Sequence, residues 1–404
     1  MKNHKTAILC LLIITSLQAA ALGAPMPPKV TAESALLVDA VSGKVLYEKR
    51  CRVRRPPASL TKIMTAILIL EHGNLDDVVT ASKHACNTPY GSLHLKPGEK
   101  LTLRDLLRAI LMRSANDGAV CAAEHIAGSE SKFVAMMNKK AKEIGAINTH
   151  FANPHGLHDP SHYSTAYDIA LIARHAIRYP EFNAIVQKKQ ARIERSINSL
   201  DVTLRNTAKF LSKFEGADGI KTGYTKEAGH CFVGSATRND WRLIAVVLKS
   251  KDTWTDTAVL LNYGFKYFRQ LAFAKENEVV TTVAVSGGKQ EKVDLVASAP
   301  LTMVVKKSDK VESKVDLDAP KKVSAPVKKG EKIGTITAWV NGKKLGSVDL
   351  CAATEVERTL WATAWLWIKT LITSTLIFSL GIIAYGTAVA KIARRRRRRL
   401  AARS

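Results

Sequence analysis

Residues 57–71 read Pro-Ala-Ser-Leu-Thr-Lys-Ile-Met-Thr-Ala-Ile-Leu-Ile-Leu-Glu, and almost every residue after Lys62 is apolar. A segment that is apolar on most sides predicts a helix buried inside a domain, here from Ser59 to Glu71. Pro57 suits the start of such a helix. Because residues three apart share a helix face, Ser59 and Lys62 are expected to lie side by side. The stretch therefore predicts a buried helix that brings a hydroxyl and an amine together.

The segments on both sides of this helix predict a first domain of mixed α/β structure, residues 24–271. Residues 34–48 (SALLVDAVSGKVLYE) indicate two strands joined at Ser42-Gly43. Thr165 begins a capping box ahead of a helix. The other predicted elements are helices at 103–113, 118–126, 131–144, 169–177 and 255–268, strands at 231–237 and 243–248, and a Pro/Gly/His-rich loop at 152–163.

Residues 272–353 predict a second, smaller all-β domain. Short stretches such as VVTTVAVSGG and LTMVVKK are rich in Val and Thr and are separated by Gly and Lys. Within this domain, residues 307–330 are rich in Lys, Pro and Ser, and they predict a solvated loop.

The chain is strongly basic, with 61 Lys+Arg against 35 Asp+Glu in 404 residues and a net charge of +26. Residues 1–23 contribute two of these charges and residues 359–404 contribute nine, without any acidic residue, so residues 24–358 keep +15. This remainder suits an anionic environment such as a cell-wall polymer or lipid headgroups. The basic residues are scattered and no nucleic-acid-binding module is recognisable, so the sequence argues against nucleic acid as a partner.

The two ends indicate export and membrane anchoring. Residues 1–23 have a basic start, an apolar run and small residues, the pattern of a secretory signal peptide, with an uncleaved anchor as the alternative. Residues 359–390 are predicted to be a membrane anchor, because the 20 residues 371–390 carry no charge and three tryptophans precede them. The arginine-rich tail, residues 391–404, is expected to stay in the cytoplasm, which places the globular part outside. A buried core helix is the alternative for this segment.

Five cysteines remain after removal of the signal peptide, so at least one is unpaired in an exported protein. They form no C-x-x-C pair, and buried free thiols are the preferred interpretation.

Three short motifs carry the chemistry, beginning with Ser59-Leu60-Thr61-Lys62. A serine hydroxyl is a weak nucleophile until a base takes its proton. Lysine has an ordinary pKa near 10.4, but burial and a nearby second cation lower it. Lys221 is the candidate for that cation. The alternative is a helix-capping serine with an exposed lysine one turn later.

The second and third motifs are Ser114-Ala115-Asn116 and Lys221-Thr222-Gly223. Ser114 is expected to relay a proton between Lys62 and a leaving amine, and Asn116 to orient Lys62 or a substrate carbonyl, although Ser-x-Asn-Asp is also an ordinary helix cap. Lys221-Thr222-Gly223 indicates a strand that lines a cleft and binds a terminal carboxylate, with a surface hairpin as the alternative.

In this order, the three motifs resemble those of penicillin-recognising serine enzymes. The chain resembles the low-molecular-mass penicillin-binding proteins, the serine-type D-Ala-D-Ala carboxypeptidases, over about residues 30–270. The segments that carry the resemblance are Pro57–Thr65, Ser114–Asp117, Asn153–Leu157, His162–Ala166 and Asp218–Thr225.

The resemblance implies a catalytic domain in which helices flank an antiparallel sheet, with the active site at the sheet edge. It implies that Ser59 attacks the penultimate carbonyl of a peptidoglycan stem pentapeptide, that Lys62 is the base, and that no metal or cofactor is used. The resemblance also implies that Arg205 binds the substrate carboxylate, together with Lys221 and Thr222. β-Lactams are expected to acylate the serine. The family often has histidine after K-T-G, where this chain has Tyr224.

Four alternatives to a carboxypeptidase remain open. A D,D-endopeptidase shares the same site, and a β-lactamase shares the motifs, although no E-x-x-L-N stretch lies between Asn116 and Lys221. A zinc peptidase is suggested only by the histidine cluster at 155–162, whose spacing is not that of a zinc motif. A non-catalytic wall-binding protein is the fourth.

Overall fold

The computed structural model describes residues 26–198 and 202–401, with side chains through Arg395. The signal peptide predicted at 1–23 lies outside the described residues. The chain divides into two compact units. The first extends to Arg269 and includes Val304–Asp309, and the second comprises Gln270–Met303 and the residues from Lys310 onward.

The described part of the chain contains both helices and strands. The helices are α1 (Lys62–His72), α2 (Lys83–Cys86), α3 (Leu103–Arg108), α4 (Asn116–Ala127), α5 (Glu130–Ile144), α6 (Ala166–Ala176), α7 (Pro180–Val186), α8 (Thr253–Tyr267) and α9 (Leu360–Ala401). The strands are β1 (Ser34–Asp39), β2 (Val45–Lys49), β3 (Val78–Thr80), β4 (Lys100–Thr102), β5 (Gln190–Arg192), β6 (Thr203–Arg205), β7 (Ala217–Thr225), β8 (Gly229–Arg238), β9 (Trp241–Ser250), β10 (Phe268–Ala274), β11 (Val279–Ser286), β12 (Lys292–Ala297), β13 (Leu301–Lys306), β14 (Ser313–Asp318), β15 (Lys322–Ser324), β16 (Lys332–Val340) and β17 (Lys343–Ala352).

A five-stranded antiparallel sheet organises the first unit, in the order β2-β1-β9-β8-β7. Because side chains alternate across a strand, a strand with both faces buried is apolar at every position. In β9, Ile244 and Val246 enter a core shared with α1 and α3–α6, while Ala245 and Val247 enter a second core shared with α8. The unit is therefore a sheet between two helical layers, as the α/β prediction requires, and β7 is one edge of that sheet.

The buried helix predicted from the opening stretch is present, but it begins one turn later than expected. Ala58–Thr61 form a 3-10 turn and α1 starts at Lys62, with every side chain from Lys62 to Ile69 buried. The Thr61 hydroxyl donates to the Ala58 carbonyl oxygen at 2.8 Å, and this local hydrogen bond favours the tighter turn.

The helix predicted at 103–113 is also divided. It is α-helical in α3 and continues as a π-helix over Ala109–Arg113, which ends at Ser114 in the left-handed conformation with φ 67°. A wider helical turn that ends on a left-handed residue turns the chain sharply before α4 begins at Asn116.

The second unit contains a six-stranded sheet in the order β14-β16-β17-β12-β11-β15. The solvated loop predicted at 307–330 is wrong in part, because that segment contains β14 and β15. Strands β14 and β15 lie at the two edges of the sheet, and the side chains of β14 are almost all exposed. Their polar composition is therefore similar to that of a loop.

Helix α9 follows the second sheet. From Leu360 to Arg395 it is apolar and long enough to cross a membrane, and no side chain in its most apolar window is buried. The five cysteines of the described part are all free thiols, with Cys51, Cys121 and Cys231 buried.

A buried carboxylate ties the start of the described chain to α8. Asp256 accepts hydrogen bonds from the Thr31 and Ala32 backbone N–H groups at 2.7 and 2.8 Å, and from the Thr31 and Ser250 hydroxyls at 2.8 and 2.6 Å. Its removal would leave the buried Ala32 N–H and Ser250 hydroxyl without this acceptor.

We therefore expect Asp256→Ala to lower the free energy of unfolding by about 3 kcal/mol, the cost of unpaired buried donors. Urea unfolding followed by tryptophan fluorescence measures this change. The matched control is Asp76→Ala, which removes an exposed carboxylate paired with Arg104 and is expected to cost less than about 1 kcal/mol. If both variants lost the same free energy of unfolding, the buried hydrogen bonds of Asp256 would not stabilise the fold as proposed.

Candidate active site

A cleft of about 350 Å³ opens along the edge strand β7. Five of the residues predicted from the sequence line it. The side chains of Lys62 and Lys221 are buried, and the Lys62 amine reaches Ser59. The five are Ser59, Ser114, Asn116, Thr222 and Gly223. The structure thus brings the three motifs together from positions more than 160 residues apart in the sequence.

Two glycines allow the serine turn to pack closely. A side chain at Gly223 would begin 3.1 Å from the Ser59 nitrogen, so β7 passes directly against the turn. At Gly156, where φ is +88°, an added Cβ would lie 1.9 Å from the Ala58 carbonyl oxygen. A larger residue at Gly156 would collide with the backbone of the turn, and one at Gly223 would force the turn to shift by a few tenths of an ångström.

The Lys62 amine lies among three oxygen atoms. Its Nζ is 3.0 Å from Ser59 Oγ, 2.6 Å from Asn116 Oδ1 and 2.7 Å from the His155 carbonyl oxygen. The orientation of the Asn116 amide is determined by its other end, where Nδ2 donates to the carbonyl oxygens of Pro89 and Tyr90 at 3.0 Å each.

These contacts define the direction of the lysine lone pair when the amine is neutral. The Asn116 and His155 oxygens only accept hydrogen bonds, so they take the two N–H groups of a neutral amine. The remaining position faces the Ser59 hydroxyl, whose proton the lone pair then accepts. This is the geometry required of a general base.

Burial favours that neutral form. It lowers the pKa of Lys62 well below its ordinary value, and the positive charge of Lys221 lowers it further, while Asp117 acts in the opposite direction. Lys221 is itself fully buried, which lowers its pKa to about 7, and its Nζ donates to the Thr222 carbonyl oxygen at 3.1 Å.

Ser114 reaches the cleft through the left-handed turn that ends the π-helix. Its hydroxyl is buried, and within residues 26–198 and 202–401 it has no hydrogen-bond partner. The side chain is therefore placed in the cleft without being committed to Lys62.

Arg205 is positioned less directly than the sequence resemblance implied. It lies exposed on β6 and is not among the residues that line the cleft. Its neighbour Thr207 does line it, and the Thr207 and Thr222 hydroxyl oxygens are 2.8 Å apart. Sequence reasoning missed Thr207, since a lone threonine in a loop has no distinguishing pattern.

Aromatic side chains complete the cleft wall. The sequence singled out Tyr224 but not the others. The Tyr224 ring is 60% exposed and lies 4.6 Å from the His230 ring, its cross-strand partner. Trp254 at the start of α8 and Tyr90 line the cleft as well. They come from three separate segments, so no local sequence pattern links them.

The histidine loop has a structural role in the turn. His162 Nε2 lies 2.8 Å from the Thr61 hydroxyl, and its Nδ1 accepts from the Ala152 N–H at 3.2 Å, so both ring nitrogens are used. Burial lowers the pKa of His162 to about 4 and that of His155 to about 3. Among the described residues, no group of three histidine, cysteine or acidic side chains is arranged to hold a metal ion, so the zinc alternative has no structural support.

An antiparallel sheet whose edge strand faces a serine–lysine pair is the site of a serine acyl-transfer enzyme, the class that includes the serine-type peptidases. Comparison with known proteins is consistent with this class. Residues 21–252 match the family described as D-alanyl-D-alanine carboxypeptidase, and residues 268–358 match the C-terminal domain of penicillin-binding protein 5.

Individual relatives cover most of the chain. The D-alanyl-D-alanine carboxypeptidase DacF of Bacillus subtilis is 37% identical over 286 residues, 69% of this chain and 73% of that protein. DacC of Escherichia coli is 34% identical over 346 residues, 82% and 85% of the two chains. The crystal structure of penicillin-binding protein 5 from Haemophilus influenzae has a TM-score of 0.62 at 33% identity, covering 82% of this chain and 99% of that one. The chain belongs to the D-alanyl-D-alanine carboxypeptidase family, and the low-molecular-mass penicillin-binding protein resemblance is confirmed.

The coupling of the two lysines predicts a shift in pH dependence for Lys221→Gln. Loss of the Lys221 charge raises the pKa of Lys62, and a base works only when neutral, so the acid limb of the acylation rate moves to higher pH. Each unit of pKa shift lowers the rate about tenfold at a pH on that limb.

The pH profile of the second-order rate constant for labelling by a fluorescent penicillin measures this shift. Lys226→Gln removes an exposed lysine from the same strand–turn region and is expected to leave the limb in place. A Lys221→Gln profile that falls in height at every pH without moving would show that Lys221 acts in binding alone.

Proposed function

We propose that this protein is a D-Ala-D-Ala carboxypeptidase that removes the terminal D-alanine from peptidoglycan stem pentapeptides through an acyl-enzyme on Ser59. Residues 24–271 form its catalytic domain and residues 272–353 its β-rich domain. The observation that carries the proposal is the buried Lys62 amine, which contacts two obligate acceptors and the Ser59 hydroxyl. Membership of the carboxypeptidase family supports the substrate.

The first step is attack by Ser59 on the carbonyl of the penultimate D-alanine. Lys62 takes the hydroxyl proton, and Asn116 holds the amine so that its lone pair faces the serine. Backbone N–H groups of Ser59 and of the strand after Gly223 stabilise the negative charge on the carbonyl oxygen. The loss of one such donor typically costs about 10²–10³ in rate.

The substrate lies along β7, because this strand is at the edge of its sheet and faces the cleft. An extended peptide pairs with such an edge through backbone hydrogen bonds. Thr222 binds the terminal carboxylate, the buried Lys221 attracts it by its positive charge, and the contact between the Thr222 and Thr207 hydroxyls orients the threonine. Arg205 contributes long-range attraction from the exposed end of β6.

The Ser114 hydroxyl transfers a proton from Lys62 to the departing D-alanine. Ser114 lines the same cleft as Ser59, and its hydroxyl has no hydrogen-bond partner within the described residues, so it is available to bond to Lys62 and to the leaving amine. Water then releases the acyl group from Ser59. A β-lactam acylates the same serine, but its leaving group stays attached and occupies the cleft, so release is slow.

Replacing the nucleophile tests the proposal. We expect Ser59→Ala to abolish both D-alanine release from a soluble pentapeptide and covalent labelling by fluorescent penicillin. Ser131→Ala, an exposed serine on α5, is the matched control and is expected to keep both activities. Penicillin labelling that survives in Ser59→Ala would place the nucleophile elsewhere, and faster turnover of penicillin than of pentapeptide in the unmodified protein would favour a β-lactamase.

We further propose that residues 359–390 anchor the protein in the bacterial cytoplasmic membrane, with both globular units on the extracytoplasmic face and residues 391–404 in the cytoplasm. The apolar length of α9 supports spanning, and the arginine cluster after it supports the orientation. Peptidoglycan lies on the same side of the membrane as the units in this arrangement.

A protease-protection experiment measures the orientation. An epitope placed after Ser404 is expected to be digested only once spheroplasts are permeabilised, whereas the globular part is digested in intact spheroplasts. A chain that ends at Arg358 is expected to be released from membranes as active enzyme. Digestion of the epitope in intact spheroplasts would reverse the orientation.

A further inference from the structure

A second cleft, of about 430 Å³, lies entirely within the second unit. It is formed beside the edge strand β14 and the hairpin that joins β16 to β17, and the catalytic chemistry described above uses none of its residues. Its lining residues are Glu312, Ser313, Lys314, Asp316, Trp339 and Gly342.

Strand register explains how the side chains meet. Lys314 lies opposite Trp339, and Asp316 lies opposite Thr337, so these side chains share one face of the sheet. The alternate residues of β16, including Ile336 and Ala338, fill the core on the other face. On a solvated sheet face of this kind polar residues are expected, and a tryptophan departs from that pattern.

Trp339 also has an unsatisfied donor. Its ring is partly exposed, but the indole N–H is enclosed and has no hydrogen-bond partner within the described part of the chain. Most buried donors in folded proteins are paired, so an unpaired indole N–H beside a cleft calls for a physical reason. A bound group that carries an acceptor would satisfy it after a small movement of the ring.

The other side chains around the ring are suited to hydroxyl and amide groups. The Lys314 ammonium lies 2.7 Å from Asp316 Oδ1, so donor and acceptor are already held at one side of the cleft. Carboxylates accept from hydroxyl groups, and an ammonium donates to hydroxyl and carbonyl oxygens. The lining residues bring two carboxylates and one ammonium, and Lys344 lies opposite Trp339 on the next strand, so the charges around the ring balance and give no preference for a phosphate or another small anion.

An aromatic ring beside such polar groups suits a sugar ring, whose C–H face packs on the indole while its hydroxyl and N-acetyl groups bond to the polar side chains. We propose that this cleft binds the N-acetylated amino-sugar strand of peptidoglycan. The proposal rests on the proposed function, because the substrate peptides of the enzyme are attached to that strand. A second attachment point on the same polymer raises the local concentration of stem peptides at Ser59.

The test uses the full-length protein in detergent, with the active site first blocked by penicillin so that binding through Ser59 does not contribute. Binding to insoluble peptidoglycan is measured by co-sedimentation, with a β-1,4-linked N-acetylglucosamine tetramer as the soluble competitor. We expect Trp339→Ala to weaken binding at least tenfold and Trp339→Phe to weaken it less. The tetramer is expected to displace the unmodified protein.

The matched control is Leu317→Ala. Leu317 lies on the same strand and is 50% exposed, but it pairs with Ile336 and therefore faces away from the cleft. The Leu317→Ala variant is expected to bind insoluble peptidoglycan as strongly as the unmodified protein does. If Trp339→Ala does not fold, as judged by its thermal unfolding, the double variant Glu312→Gln/Asp316→Asn carries the test, with the same tenfold loss expected.

Activity separates this proposal from the catalytic one. Without penicillin, we expect Trp339→Ala to release D-alanine from a free pentapeptide within twofold of the normal kcat/KM, and to show a raised KM on insoluble peptidoglycan. Unchanged binding by Trp339→Ala and the double variant would overturn the proposal, as would displacement by a stem peptide and not by the tetramer. An unmodified protein that releases no D-alanine would instead overturn the catalytic function and leave the binding result standing.

Discussion

The burial of the Lys62 amine beside the Ser59 hydroxyl is the interaction on which the first unit depends. An ammonium at this position would lose its hydration and face the buried Lys221, so the neutral form is favoured there. Burial requires a tightly packed core around α1, and every side chain from Lys62 to Ile69 is enclosed. The apolar character of the helix is thus needed for the chemistry as well as for stability.

The same constraint determines how distant segments meet. The oxygen atoms around Lys62 come from the serine turn, from the first residue of α4 and from the histidine loop. The turn is held by Thr61 and His162 on one side and passes against Gly223 on the other. A shift of about one ångström in any of these would separate base and nucleophile, and such shifts are costly in rate.

The two units use their sheets differently. In the first, both faces are covered by helices, and the exposed edge β7 is the surface on which a peptide would lie. In the second, the outer face of β14 and β16 remains polar and surrounds Trp339. A sheet with one solvated face leaves room for recognition on that face, whereas a sheet covered on both faces leaves only its edge.

Local patterns in the sequence were sufficient for much of this protein. The apolar run after Lys62 predicted a buried helix, Ser42-Gly43 predicted the hairpin, and Thr165 predicted a capped helix, and all three are present. Each depends on neighbours a few residues apart, which is the range over which side-chain periodicity and capping act. Strand β14 was missed although Val315 and Leu317 alternate with polar residues, because the Lys, Pro and Ser residues around this short strand give the whole segment a loop-like composition.

Tertiary structure decided the distances around Lys62 and the absence, among the described residues, of a hydrogen-bond partner for the Ser114 hydroxyl. It also decided that Thr207 lines the cleft and that Arg205 lies exposed outside it. Each depends on how loops from separate parts of the chain pack against β7. Those contacts follow from the summed packing of two cores and from close approaches at Gly156 and Gly223. The sequence by itself therefore determined which chemical groups are available, and only the folded chain decided which of them touch, because the contacts join residues that no local pattern connects.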